Sequence, residues 1–330
     1  GSINVFDFWS RRIRRLFPAL IVVIFSILII SSYFLLPIGS EQTGLARSAI
    51  ASILYVSNIY FAYKHDSYFD SEATTVPLLH TWTLSIEEQF YIIWPVLILI
   101  IVYFSKNLNF NRNAFIKSLL LFIVFCSFAY SCSAYFNGPS RFSFFGLQAR
   151  AWELGIGAIV ALVLPSLQLK RPAALALGSA GAVAVATAFL TFDDAMVYPG
   201  FAAILPTIGT AALIASGHTH PSLSIFKVLS FRPMVALGLL SYSWYLWHWP
   251  LLAIARAQTF GDKDLVRDTA IVLFSLVLAA ITYWLVENPI RHRSYFGGWS
   301  SGKTLSAALV AMFVTVISSS GFLLWSKRLA

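Results

Sequence analysis

Charge is what this 330-residue sequence has least of. Lys, Arg, Asp and Glu together make up 11% of it, against 58% hydrophobic and 16% aromatic residues. A soluble domain carries about 25% charged residues, and with a mean hydropathy of +0.75 this chain is an integral membrane protein. Cysteine is nearly absent as well. Cys126 and Cys132 are the only two, six residues apart in one apolar run, so on a helix they point to different sides. Neither a disulfide framework nor a metal site is expected from them, and no other metal-ligand pattern is present. There is no soluble domain, internal repeat or low-complexity tract, no dinucleotide-binding G-x-G-x-x-G and no H-E-x-x-H. Acidic residues are outnumbered 14 to 23, for a formal net charge of +9 and a pI near 9.6. The Lys and Arg fall in short clusters between apolar runs rather than on one basic face, which excludes a nucleic-acid partner and fits the positive-inside rule.

What the sequence has in abundance is apolar runs. A spanning helix needs roughly 20 mostly apolar residues, and the candidates are 16–37, 45–63, 84–104, 115–136, 144–165, 172–191, 200–216, 234–257, 266–286 and 303–325. The fold class expected is therefore all-α, a polytopic transmembrane bundle of about nine to ten membrane helices forming a single domain over residues 1–330. The basic clusters are Arg11, Arg12, Arg14 and Arg15; Lys106, Arg112 and Lys117; Lys170 and Arg171; Lys227 and Arg232; and Arg291, Arg293 and Lys303. All are assigned to the cytoplasm. Asp66, Asp70 and Asp194 fall in the opposite loops. With 16–37 running outward and 84–104 running inward, both ends of 45–63 must lie outside. That segment is read as re-entrant or interfacial, and the C-terminus then lies outside.

Several polar groups sit where a bilayer should exclude them. The segment "PLLHTWTLSIEEQFYIIWPVLILIIVYF", residues 77–104, begins with His80, Trp82, Glu87 and Glu88. Ser85 and Glu88 fit the S-x-x-E capping box, with both carboxylates in a first helical turn; His80 and Glu87 are left to bind a polar substrate or relay a proton. Arg150 and Glu153, three apart on one helix face, form either a self-satisfying ion pair or a holder of a substrate oxygen. Either charge alone near the bilayer centre costs roughly 2.5–3.5 kcal/mol. In "GLLSYSWYLWHWPLLAIAR", residues 238–256, Ser241, Tyr245 and His248 recur at helical spacing, and Pro250 leaves the Leu246 carbonyl without its helical donor. That stripe is the lining of a polar cavity or an aromatic belt with one bonded histidine. The arginines of "FWSRRIRRLFPAL" anchor a helix at an anionic surface or grip a phosphate. "LVENPIRHR" reads as a helix stop.

Taken together, "SRRIRRLFPAL", "PLLHTWTLSIEEQFYIIWP", "RAWELGIGAIVAL", "SYSWYLWHWPLL" and "LVENPIR" resemble the membrane acyltransferase 3 family, in the family's order. The resemblance implies an O-acyltransferase of the bacterial inner membrane that passes an acyl group, usually acetyl from cytoplasmic acetyl-CoA, to a sugar hydroxyl on the outer side. Acceptors are cell-surface or lipid-linked glycans such as lipopolysaccharide O-antigen, peptidoglycan or exopolysaccharide, with no bound cofactor and with membrane lipid around the chain. It assigns the phosphates of acyl-CoA to Arg12 and Arg15, or to Arg11 and Arg14. His80, Glu87 and His248 are the catalytic candidates, and Trp82, Glu88, Arg150, Glu153, Ser241, Tyr242 and Tyr245 are expected to line the cavity. The family opens with two helices that precede this sequence, the first bearing its catalytic His, so the chain alone is expected to be inactive. It contains no SGNH domain, the periplasmic module many members carry, although such a domain or protein is a partner the resemblance allows. The polar stripes alone also admit a transporter or flippase of a polar or lipid-linked substrate, or a non-catalytic fragment. The topology makes a direct prediction: reporters fused after Arg171 or Arg293 read cytoplasmic, and reporters after Asp194 or Ala330 read external. A cytoplasmic reading at Ala330 overturns it.

Overall fold

The computed structural model describes residues 4–37, 41–64, 71–108, 112–138, 141–193, 196–292, 295 and 298–329. Asp66, Asp70, Asp194, Arg293 and Ala330, named above, lie outside them. Among the described residues there is no strand. The α-helices are α1 (Val5–Phe34), α2 (Glu41–Ile53), α3 (Ser57–Lys64), α4 (Thr81–Leu108), α5 (Arg112–Asn137), α6 (Arg141–Phe145), α7 (Leu147–Val163), α8 (Arg171–Thr191), α9 (Ile204–Thr219), α10 (Ser224–Leu229), α11 (Arg232–Ala257), α12 (Leu265–Thr282), α13 (Asn288–Arg291) and α14 (Ser301–Leu329). The protein is thus an all-α polytopic membrane bundle. Among the described residues, seven helical segments are long and apolar enough to cross a bilayer. The three expected segments outside that set depart for visible reasons. Residues 45–63 divide into α2 and α3 around Tyr55, whose φ of 54° breaks the helix. The 200–216 segment is the 16-residue α9, and α11 carries the polar run from Ser241 to His248.

The chain divides into two compact units. The first comprises residues 1–61, 69–85 and 236–330, with α1 at its centre. Asn4 caps α1 by accepting from the Asp7 N–H at 3.3 Å. Leu20, Val23, Ile24 and Ile27, recurring at three- and four-residue intervals, are fully buried. α14 runs parallel to it, since Ser10 Oγ donates to Ser301 Oγ at 3.1 Å and Arg14 Nη1 donates to Thr304 Oγ1 at 3.2 Å. Thr304, Ala308, Thr315 and Ser319 form the buried stripe of α14. Small residues of that kind let helices approach closely where hydrocarbon supplies no hydrophobic driving force. α11 also runs parallel to α1: the Tyr242 hydroxyl donates to the Leu16 carbonyl at 2.7 Å, and the Gln258 amide donates to the Phe34 carbonyl at the far end. α12 returns antiparallel, held by the Arg256–Asp268 ion pair at 2.7 Å and by Trp247 Nε1 donating to Thr282 Oγ1 at 2.9 Å. It ends in a π-helical turn, Tyr283–Glu287, which passes directly into α13, where Pro289 takes an early position that needs no N–H donor.

α4 begins in this unit and corrects one sequence expectation. The helix starts at Thr81, so Ser85 lies inside it and no S-x-x-E capping box forms; Glu87 and Glu88 fall in the second turn. Ser85 Oγ instead pairs with Ser57 Oγ at 2.7 Å, Thr81 Oγ1 donates to Ser57 Oγ at 3.0 Å, and Thr81 pairs with Ser52 Oγ at 2.7 Å. These buried hydroxyls tie α2 and α3 to the start of α4, each bond contributing about 0.6 kcal/mol in a membrane.

The second unit comprises residues 62–68 and 86–235. Ser127 joins α5 to α7, donating to the Gln148 carbonyl at 2.8 Å and accepting from the Trp152 N–H at 2.9 Å. α8 and α9 pack most closely: a Cβ on Gly181 would lie 2.6 Å from the Gly209 carbonyl oxygen. Backbone cannot move aside as a side chain can, so Gly181→Val is expected to cost about 1–3 kcal/mol, read as a lower unfolding midpoint of the detergent-solubilised protein. Gly157→Val, where a Cβ meets nothing within 4 Å, should leave the midpoint unchanged.

Candidate active site

Two polar centres occur in the first unit. The turn 77–80 leads into α4 with Leu78, Leu79 and His80 buried. The Tyr245 hydroxyl of α11 donates to the His80 carbonyl and pairs with Thr83 Oγ1 at 2.6 Å. Trp249 Nε1 donates to the Val76 carbonyl at 2.9 Å, and Trp244 Nε1 donates to Ser275 Oγ at 3.0 Å. The tryptophans of α11 therefore clamp that helix to its neighbours. The His80, Tyr245 and His248 rings gather, with centroids 5.0 Å apart for His80–Tyr245, 6.0 Å for His80–His248 and 5.7 Å for Tyr245–His248. His248 Nδ1 lies 3.2 Å from the Trp244 carbonyl; with the proton there, Nε2 carries the basic lone pair. Burial first and the neighbouring His248 second hold His80 well below the ordinary imidazole range, so it is neutral. Neither His80 ring nitrogen completes a hydrogen bond, although the Leu246 carbonyl, released by Pro250, lies beside the ring.

The second centre is a cavity of about 450 Å³ beside the start of α1. Arg11, Arg14 and Arg291 supply its positive charge; Asp7, Ser10, His292 and Ser301 complete it, with Ser301 Oγ donating to Asp7 Oδ1. The helical register thus selects Arg11 and Arg14, not Arg12 and Arg15, as the pair facing one space. An apolar slot of about 190 Å³ adjoins it past Arg14, between Phe17 and Ala308.

The other candidates are dispersed. Ser241 is exposed and donates to the Gly238 carbonyl of its own helix at 2.9 Å, so it does not join the imidazoles. Tyr242 is engaged with Leu16. Trp82 and Glu88 are buried and Glu87 is exposed. In the second unit, Arg150 pairs with Glu153 at 2.6 Å, and its guanidinium lies 4.9 Å from the Tyr198 ring centroid and 5.8 Å from that of Phe144.

Three groups near the cavity were not among the candidates: Ser301, His292 and Glu287. A signal for the first exists in the sequence. Residues 297–304 read G-x-x-x-x-G-K-T, and residues 298–302 also read G-x-S-x-G. Neither pattern has a strand before it among the described residues, so neither a phosphate-binding P-loop nor a nucleophile elbow is formed in its usual setting. Ser300 caps α14 instead, its Oγ accepting from the Lys303 N–H at 3.3 Å.

A polytopic helical membrane protein with an arginine-lined cavity and a buried imidazole cluster is the class this architecture defines. The chain belongs to the acyltransferase 3 family, whose model, described as an acyltransferase domain, matches residues 2–323. It is 32% identical to the peptidoglycan O-acetyltransferase OatA of Listeria monocytogenes, over 96% of this chain and 53% of that protein. It is 34% identical to the putative peptidoglycan O-acetyltransferase YrhL of Bacillus subtilis, over 89% of this chain and 47% of that protein. It is 30% identical to the O-acetyltransferase OatA of Staphylococcus aureus strain MRSA252, over 96% and 53%. The chain spans about half the length of these relatives. No solved structure matches it.

Removing the Tyr245 hydroxyl strips both the His80 carbonyl and Thr83 of a partner. Tyr245→Phe is expected to cost about 0.6–1.7 kcal/mol and to raise hydrogen–deuterium exchange across residues 78–83. Unchanged protection there would remove Tyr245 as the support of His80.

Proposed function

We propose that the chain forms the membrane part of an O-acyltransferase that passes an acetyl group from acetyl-CoA to a hydroxyl of a cell-wall glycan, peptidoglycan being the acceptor named in the relatives. The observation that carries this reading is the arginine-lined cavity at the start of α1, in the same unit as the His80–Tyr245–His248 cluster. Guanidinium groups match phosphate oxygens in geometry and stay charged, which suits the phosphates of the donor. The positive-inside rule puts this cavity on the cytoplasmic side of the inner membrane. His248 stands six residues beyond Tyr242 on α11, about 9 Å further along the helix, toward the outer side and the acceptor.

In the transfer, the sugar oxygen attacks the thioester carbonyl carbon and its proton passes to an imidazole. A C–O bond forms, the C–S bond breaks, and coenzyme A leaves as the thiolate, which then takes up a proton. An alcohol is a weak nucleophile near neutral pH, so a base within hydrogen-bond reach is required. Within this chain His248 is the better placed of the two imidazoles, since its Nδ1 is fixed by the Trp244 carbonyl; His80, enclosed and neutral, orients the site. Glu87, Glu88 and Trp82 belong to the acceptor side on α4. Arg150 and Glu153, already paired, hold a substrate oxygen if one reaches them. α14 runs parallel to α1, so by the same rule its far end lies on the outer side, the side on which an SGNH-type domain or partner would meet the glycan.

Arg11→Ala with Arg14→Ala is expected to abolish transfer of labelled acetyl from acetyl-CoA to peptidoglycan in membranes carrying the full-length protein, with abundance unchanged. Arg12→Ala should have the smaller effect, and Lys replacements should rescue only in part, because an ammonium lacks the two-pronged geometry. Full labelling in the double variant returns these arginines to lipid anchoring; transport without any acetyl-CoA-dependent labelling replaces the enzyme reading with a transporter.

A further inference from the structure

Glu287 is an acidic side chain in a place that needs explaining. It is 2% exposed, deep in a helical membrane bundle, where an uncompensated carboxylate is costly. It closes the π-helical turn Tyr283–Glu287, in which the Asn288 N–H reaches back to the Tyr283 carbonyl. A π turn rotates the residues that follow it relative to an α-helix, and here it turns Glu287 inward onto α11. Ser243, itself fully buried, donates to Glu287 Oε2 at 2.7 Å. Arg291 and Arg15 are the nearby positive charges that favour the ionised carboxylate. Arg291 stands four residues on, the spacing at which a glutamate and a following arginine share a helix face, and it lines the cationic cavity. Ser243 and Tyr242 are neighbours on α11: the first holds Glu287, the second holds the Leu16 carbonyl of α1. Two adjacent positions of α11 therefore hold both walls of the cavity, the α1 wall bearing Arg11 and Arg14 and the wall bearing Arg291.

We infer that Glu287 is a positioning residue for the anion cavity: held by Ser243, it fixes Arg291 at the cavity wall so that the guanidinium meets the phosphates of the donor. This rests on the reading of the cavity as the acyl-donor site. The inference has a sign that simple electrostatics does not. A carboxylate acting only as a negative charge near an anion site opposes binding, and its neutralisation would tighten binding. A carboxylate that holds an arginine in place does the opposite.

The test uses the full-length protein in vesicles, with acetyl-CoA as the varied substrate and coenzyme A as the binding probe. Glu287→Gln keeps the shape and an acceptor for Ser243 but removes the charge. It is expected to raise the KM for acetyl-CoA and the Kd for coenzyme A about tenfold, the order of one displaced charge-assisted hydrogen bond, while kcat changes less. Ser243→Ala, which keeps the charge and removes its tether, should move both constants the same way by a smaller factor; it serves as the measurement if Glu287→Gln does not accumulate. Unchanged or tighter coenzyme A binding in these variants overturns the inference. The Arg11→Ala, Arg14→Ala variant separates the two levels. Loss of coenzyme A binding there, together with unaltered binding in Glu287→Gln and Ser243→Ala, sinks the role of Glu287 alone. Undiminished binding in the double arginine variant sinks the donor reading and this inference with it.

Discussion

Hydrocarbon offers no hydrogen bonds, and the polar chemistry of this protein is arranged around that constraint. In lipid the backbone satisfies itself only as helix, so polar side chains must find partners on other helices. They do so at a few recurring junctions. Ser52, Thr81, Ser57 and Ser85 pair with one another where α2, α3 and α4 meet. Ser127 joins α5 and α7 from both sides of the hydrogen bond. Trp244 and Trp247 bind hydroxyls on α12. Each bond is worth little alone in a membrane, but leaving a partner bare costs more than the bond itself contributes. The same constraint makes the remaining charged groups informative: Arg14, Arg291 and Glu287 are where chemistry, not packing, has to be answered.

Much of this was legible in the sequence, and the failures have physical causes. Hydropathy and basic clusters identify a multi-pass helical protein, and the run from Ser241 to His248 marks α11 as the helix that carries polar work. Periodicity placed Ser241 with Tyr245 and His248, yet Ser241 is exposed and returns its hydrogen bond to its own helix. A spacing fixes a face only to within a broad arc, and neighbours choose among residues within it. The capping box at Ser85 failed because the helix begins at Thr81, and side-chain competition with Ser57, 28 positions away in sequence but adjacent in space, is invisible locally. The two registers of the arginine pair were equivalent on paper; Arg11 and Arg14 are the two that line the cavity.

Glu287 shows the opposite error. "LVENPIRHR" reads as a helix stop, yet the helix passes through a π turn into α13 and runs on to Arg291, and it is within that turn that the carboxylate comes to lie against α11. A residue type read for its effect on the backbone can owe its position to that effect and its role to its side chain. The glycine pattern before α14 is a milder case: a familiar phosphate-binding spelling without the strand that gives it its usual geometry, lying nonetheless beside a cavity suited to anions.

The cavity is lined by Asp7, Ser10, Arg11 and Arg14 from one part of the sequence and by Arg291, His292 and Ser301 from another, and beside it Arg14 and Thr304 are in contact across 290 positions. Contacts of such separation form late, and synthesis proceeds from the N-terminus. α1 therefore enters the bilayer with its arginines unmatched and waits for nearly the whole chain before α14 arrives beside it. Until α14 is inserted the space beside α1 lacks one of its walls. A chain that stops short of α14 therefore lacks one wall of the space beside α1, and assembly of the bundle is itself the step that forms it.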